Sequence, residues 1–86
     1  MNVEQLVLIA REFCRVYRVR ITDFAALAAA AAASTASVEG IAVHGSRAAA
    51  AQSLETVLRS VPALSGKNEE FARLCAQVYL SVAEVM

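Results

Sequence analysis

The sequence predicts an all-α fold: a compact bundle of about four helices, spanning 3-20, 22-39, 46-60 and 68-86, in one helical domain, 1-86. Three observations carry that expectation. Apolar residues recur at three- and four-residue spacing along most of the chain. Alanine, the best helix former, fills positions 28–33. The one proline and the three glycines fall between the periodic runs.

Helix 1 is expected over 3-20. Asn2 is its N-cap, and Gln5 stands at the capping-box position. Val3, Leu6, Val7, Ala10, Phe13, Cys14 and Tyr17 make one broad apolar face. Arg11, Arg15 and Arg18 fall on the opposite face at i, i+4 and i+7, beside Glu4. This basic stripe is the candidate partner-binding surface, and a solvated face is the alternative reading. Arg18 and Arg20 also suit the negative end of the helix dipole.

Helix 2 is expected over 22-39. Thr22 is a good N-cap and Asp23 suits the first turn. The alanines let neighbouring backbones approach closely, which places this helix centrally. Gly40 is the expected stop. Ile41 to Gly45 is apolar and β-branched; it fits a strand-like segment or a hairpin flap, but with no partner strand evident in the sequence it reads as an extended connector. His44, the single histidine, has no orienting carboxylate or nucleophile nearby and reads as a loop residue.

Helix 3 is capped by Ser46 and ends before Pro62. Ala50, Ala51, Leu54, Val57 and Leu58 form its inner face, and Glu55 with Arg59 makes an i,i+4 pair in the favoured order. Helix 4 is expected to start after an Asn68 N-cap, with Glu69 and Glu70 in its first turn. Its apolar stripe is Phe71, Leu74, Cys75, Val78, Val82 and Val85, with Tyr79 and Met86 at the edge. No stop signal follows Val85, so the expectation is a helix that either runs to the terminus or was cut from a longer ancestor.

Bulk composition bounds the function. An 86-residue chain buries only roughly 60–65% of its unfolded surface, and 58% of these residues are apolar. Part of that surplus is alanine, and the rest favours contact with another protein or another copy. Formal net charge is zero, which gives nucleic-acid binding no support. The N-terminus lacks a cationic signal-peptide region. The longest uncharged run, Phe24 to Val38, is shorter than the ~20 residues of a membrane span. A cytoplasmic protein is expected. Cys14, Cys75 and one histidine cannot complete a zinc site, and neither metal nor cofactor is expected.

Several segments together resemble a known pattern: Thr22-Asp23, Leu27-Ala28-Ala29, Arg47 to Ala50, Leu58 to Leu64, Asn68, Phe71-Ala72 and Tyr79-Leu80. The chain is similar over about two thirds of its length, residues 22 to 82, to the Fic/Doc (death-on-curing) toxin components of actinobacterial toxin–antitoxin modules. The resemblance implies a helical core. Active members of that family transfer a phosphate or nucleotidyl group to a protein hydroxyl from a loop reading His-Pro-Phe-x-Asp-Gly-Asn-Lys-Arg. On that loop Pro62 and Gly66 match, and Asn68 matches with a one-residue offset. Val61 stands at the catalytic histidine, Ala63 at the phenylalanine and Ser65 at the acidic metal ligand. Glu69-Glu70 replaces Lys-Arg.

These departures imply a degenerate loop with no catalytic residue. Val61 cannot accept a proton, and two carboxylates at a helix N-terminus repel a phosphate. Gly66, Lys67 and Asn68 are the remnant of an anion or nucleotide loop. The expected function is protein–protein binding, to an antitoxin-like partner or to itself. The alternatives are a helical adaptor or oligomerisation module and, behind it, a weak phosphoryl or nucleotidyl transferase.

Overall fold

A computed structural model describes residues 1–34, 37–38, 41–42 and 47–85. Four helices make the fold: α1 (Val3–Tyr17), α2 (Phe24–Ser34), α3 (Arg47–Ser60) and α4 (Asn68–Val85). The chain is an all-α bundle with a Cα radius of gyration of 12.3 Å. That matches the roughly 12 Å expected of a packed domain this size. The expected cap at Ser46, the stop at Gly40, the residues Val43 to Gly45 including His44, and Met86 lie outside the described residues.

Helix α3 packs along both α2 and α4, and α1 lies more lightly across α2 and α4. Alanine explains the closeness of the first layer. Ala26, Ala30 and Ala31 on α2, with Ala50 and Ala51 on α3, are all buried and allow the two backbones to approach. Leu27, Leu54 and Leu58 fill the space between them. Helix α4 contributes Phe71, Ala72 and Cys75, each fully buried. Helix α1 inserts Leu6, Ala10 and Phe13, spaced to share one face. Val3 and Tyr17, expected on that face, are 40% and 48% exposed, at the first and last residues of the helix.

The capping box of α1 forms as expected. The Asn2 side chain accepts from the Gln5 amide at 2.8 Å, and the Gln5 side chain accepts from the Asn2 amide at 2.9 Å. The helix stops at Tyr17, three residues short of the expected end at 20. Arg18 adopts the left-handed conformation (φ 58°, ψ 41°), and the amides of Arg18 and Val19 both donate to the Cys14 carbonyl. This is a Schellman-type ending made without glycine. It frees the next residues to run extended.

Helix α2 begins at Phe24 rather than 22, capped by Asp23, whose Oδ1 accepts from the Ala26 amide at 3.2 Å. Thr22, the expected cap, instead donates its hydroxyl to the Ala63 carbonyl. The helix ends at Ser34 rather than 39. The Ser34 hydroxyl turns back to the Ala31 carbonyl at 2.8 Å, a bond that competes with helix continuation. Beyond it Ser37–Val38 pairs antiparallel with Ile41–Ala42, in the register Ser37↔Ala42 and Val38↔Ile41. Ile41–Ala42 therefore has a strand partner, as in the hairpin alternative, where an extended connector was the expected form.

Helices α3 and α4 run within one residue of their expected spans of 46-60 and 68-86. The Glu55–Arg59 pair forms at 3.3 Å. Asn68 does not cap α4: it is the first helical residue, and its side chain points back to Leu64.

Candidate functional site

Two places carry the candidate residues: the α3–α4 corner, with Gly66, Lys67 and Asn68, and α1, with Arg11, Arg15 and Arg18. The corner is the more constrained.

Residues 20–22 and 63–65 lie side by side as an isolated antiparallel bridge centred on Ile21 and Leu64. The Thr22 amide donates to the Ala63 carbonyl at 2.8 Å, and the Ser65 amide to the Arg20 carbonyl at 2.8 Å. In this pattern the central pair, Ile21 and Leu64, exchanges no bonds of its own. Leu64 is 3% exposed, so its free N–H and C=O need partners. Asn68 supplies both: its Oδ1 accepts from the Leu64 amide at 3.0 Å and its Nδ2 donates to the Leu64 carbonyl at 3.0 Å.

Other side chains tighten the same joint. Ser65 Oγ accepts from the Arg20 amide at 2.9 Å. The Ala63 carbonyl collects the Thr22 hydroxyl and the Asp23 amide besides the Thr22 amide. No buried side-chain nitrogen or oxygen among the described residues is left without a partner.

The loop remnant is therefore built into the fold. Asn68 commits its amide oxygen and one of its two N–H groups to Leu64, which orients the side chain into the joint. Lys67, not Gly66, takes the left-handed conformation here (φ 56°). A Cβ added at Gly66 would meet only Val19 Cγ1, at 3.5 Å, an ordinary contact. The Lys67 ammonium sits over the Tyr17 ring, 5.5 Å from its centroid. From there an aromatic chain runs inward: Tyr17 to Phe13 at 4.5 Å and Phe13 to Phe71 at 5.3 Å between centroids. Glu69 and Glu70 occupy the first turn of α4 and are exposed. Among the described residues no group of three or more His, Cys, Asp or Glu is placed to hold a metal ion.

The thiols are not poised for chemistry. Burial pushes the Cys75 thiol up to about 12, and it raises Cys14 in the same direction. A thiolate nucleophile needs the opposite shift.

On α1 the basic stripe is broken up. Arg15 grips Glu12 with two guanidinium nitrogens, and the bond from Arg15 holds the Glu12 carboxyl below its usual range. Arg18 forms the left-handed cap, off the helical face. Arg11 is exposed and enters no ion pair among the described residues. Sequence reasoning did not mark the apolar surface beside these arginines. Leu8 is 65% exposed and Val16 56%. They border a groove of about 380 Å³ with Ile9, Glu12, Phe13, Tyr17 and Leu74. A second groove of about 320 Å³ is lined by Val3, Glu4, Val7, Leu8 and Arg11. Leu8 breaks the amphipathic pattern of α1, and that break was the available signal.

No helix among the described residues is long and apolar enough to cross a membrane. Comparison with protein-family models, curated proteins and solved structures finds no match to this chain.

Proposed function

We propose that this chain is a Fic/Doc-like protein of toxin–antitoxin type that acts by binding protein, its transfer chemistry having been replaced by a structural joint. One observation carries the reading. Asn68, in the loop remnant, and Ser65, at the position of the acidic metal ligand, hold Leu64 and Arg20 by hydrogen bonds. Val61 supplies no proton acceptor, and general-base help of roughly 10²–10⁴-fold is missing with it. Binding has a surface available to it in the exposed apolar residues of α1. Under this reading the protein works in the cytoplasm, with a protein partner and no nucleic acid.

The test is incubation with magnesium, cell extract, and ATP or UTP labelled at the α or γ phosphate. The expected result is no protein label above a control lacking the chain. Label transfer abolished by Lys67→Ala would overturn the binding-only reading. A helical adaptor with no family link shares the same surface. The neighbouring gene separates the two, because an antitoxin-like reading frame alongside belongs only to the first.

A further inference from the structure

We propose that the outer face of α1 pairs with the same face of a second copy, antiparallel, about a two-fold axis between Val7 and Leu8. The inference deepens the binding reading above by naming the partner.

The face is the groove lined by Val3, Glu4, Val7, Leu8 and Arg11. Its floor is apolar and its two ends carry opposite charge. Glu4 and Arg11 are about two helical turns apart, roughly 10 Å along the axis, too far to pair with one another. Neither enters an ion pair with any other described residue. Turning a second α1 end for end sets Glu4 of each copy beside Arg11 of the other. The same rotation sets Val7 against Leu8, twice.

Such isologous matching is what a two-fold interface requires. A parallel arrangement would place Glu4 against Glu4 and Arg11 against Arg11. A strongly acidic or basic partner would find one matching end and one repelling end. Copies of this chain also carry no net charge to keep them apart. The Arg11 stem adds apolar cover over Val7 while its guanidinium stays at the rim.

The size of the contact sets its strength. A 15-residue helix is about 22 Å long, so one helix laid on another falls short of the ~800 Å² per partner of a standard interface. A weak dimer results, with a Kd of about 100 µM.

Sedimentation equilibrium of the full chain up to about 1 mM tests this. The unmodified chain is expected to dimerise reversibly. Glu4→Arg and Arg11→Glu should each weaken self-association at least about tenfold, since each puts two like charges at both ends of the contact. Mixing the two variants in equal amounts should restore association as a one-to-one heterodimer, because each then supplies the charge the other lacks. Leu8→Ala should weaken the dimer without changing the helical circular-dichroism signal.

A chain that stays monomeric throughout overturns the proposal, and so do charge variants that associate as the parent does, or a mixture that gains nothing. If Glu4→Arg loses helicity, Arg11→Glu and Leu8→Ala carry the test alone. A monomer would remove this partner and leave the binding reading standing. Label transfer in the assay above would do the reverse.

Discussion

The α3–α4 corner and the outer face of α1 lie at opposite extremes of self-sufficiency. At the corner, Thr22, Ser65 and Asn68 all find their partners inside the chain, across more than forty residues for the first two. On α1, Leu8 and Val16 are exposed, and Glu4 and Arg11 enter no ion pair among the described residues. A polar group satisfied internally rigidifies the fold and is held in an orientation set by that fold rather than by a ligand. An apolar and unpaired face costs the monomer little and is available to another protein. The contrast teaches that polar residues in a loop do not by themselves make a site.

The largest effect should come from the core that both regions lean on. Phe71 is fully buried and its ring meets Phe13. Phe71→Ala should cost about 3–5 kcal/mol in chemical denaturation, a large part of a small domain's total stability. A loss below about 1 kcal/mol would mean that α1 is not packed on α4 as described.

Next comes the corner itself. Asn68→Ala leaves both backbone groups of Leu64 unpaired in a buried position and should cost about 1–3 kcal/mol. If Asn68 were merely a helix cap, Asn68→Ser or Asn68→Asp would preserve stability. If it is the clamp described, neither rescues, because neither supplies a donor and an acceptor in one planar group.

Part of this was legible from sequence and part was not, for physical reasons. The faces Leu6–Ala10–Phe13 and Phe71–Cys75 follow from helical periodicity, which is local and strong. The Asn2–Gln5 capping box and the Glu55–Arg59 pair are equally local. Asn68 was read as an N-cap, and Thr22 likewise, because caps are what those residues prefer beside a helix start. Both were drawn away by tertiary need: Leu64 and Ala63 present buried backbone groups that only the folded chain creates. The ends of α1 and α2 were misjudged for a similar reason. No glycine marks Arg18, and Ser34 stops its helix with a hydroxyl bond. The exposed Leu8 falls outside the single apolar stripe that helical spacing defines on α1, so periodicity alone does not mark it.

A smaller effect concerns pH. The folded chain keeps the Cys75 thiol neutral up to about 12, against an ordinary 9.0. Below pH 9 both folded and unfolded chains hold the proton, and this group's contribution is fully present. As pH climbs from 9 towards 12 the unfolded thiol ionises first, and stability falls by up to about 1.4 kcal/mol per pH unit. Denaturation midpoints of the parent and Cys75→Ala at pH 7.5 and 10 check this: the parent should lose more between the two. An equal loss would place the thiol in a more solvated setting.

The smallest effect is expected where the comparison says the chain does not need its own residue. Leu8→Ala should change the stability of the dilute monomer by no more than about 0.5 kcal/mol, measured well below the dimer's Kd. A larger loss would mean that the side chain is covered in the monomer.

The corner's role is most directly tested by titrating isotope-labelled protein with magnesium and a nucleoside triphosphate while following backbone amide resonances. Millimolar nucleotide should leave the amides of Ser65 to Glu70 where they were, because their loop is held by Arg20, Leu64 and Asn68. Saturable shifts centred on Gly66, Lys67 and Asn68, lost in Lys67→Ala, would contradict the account and restore an anion site to this turn.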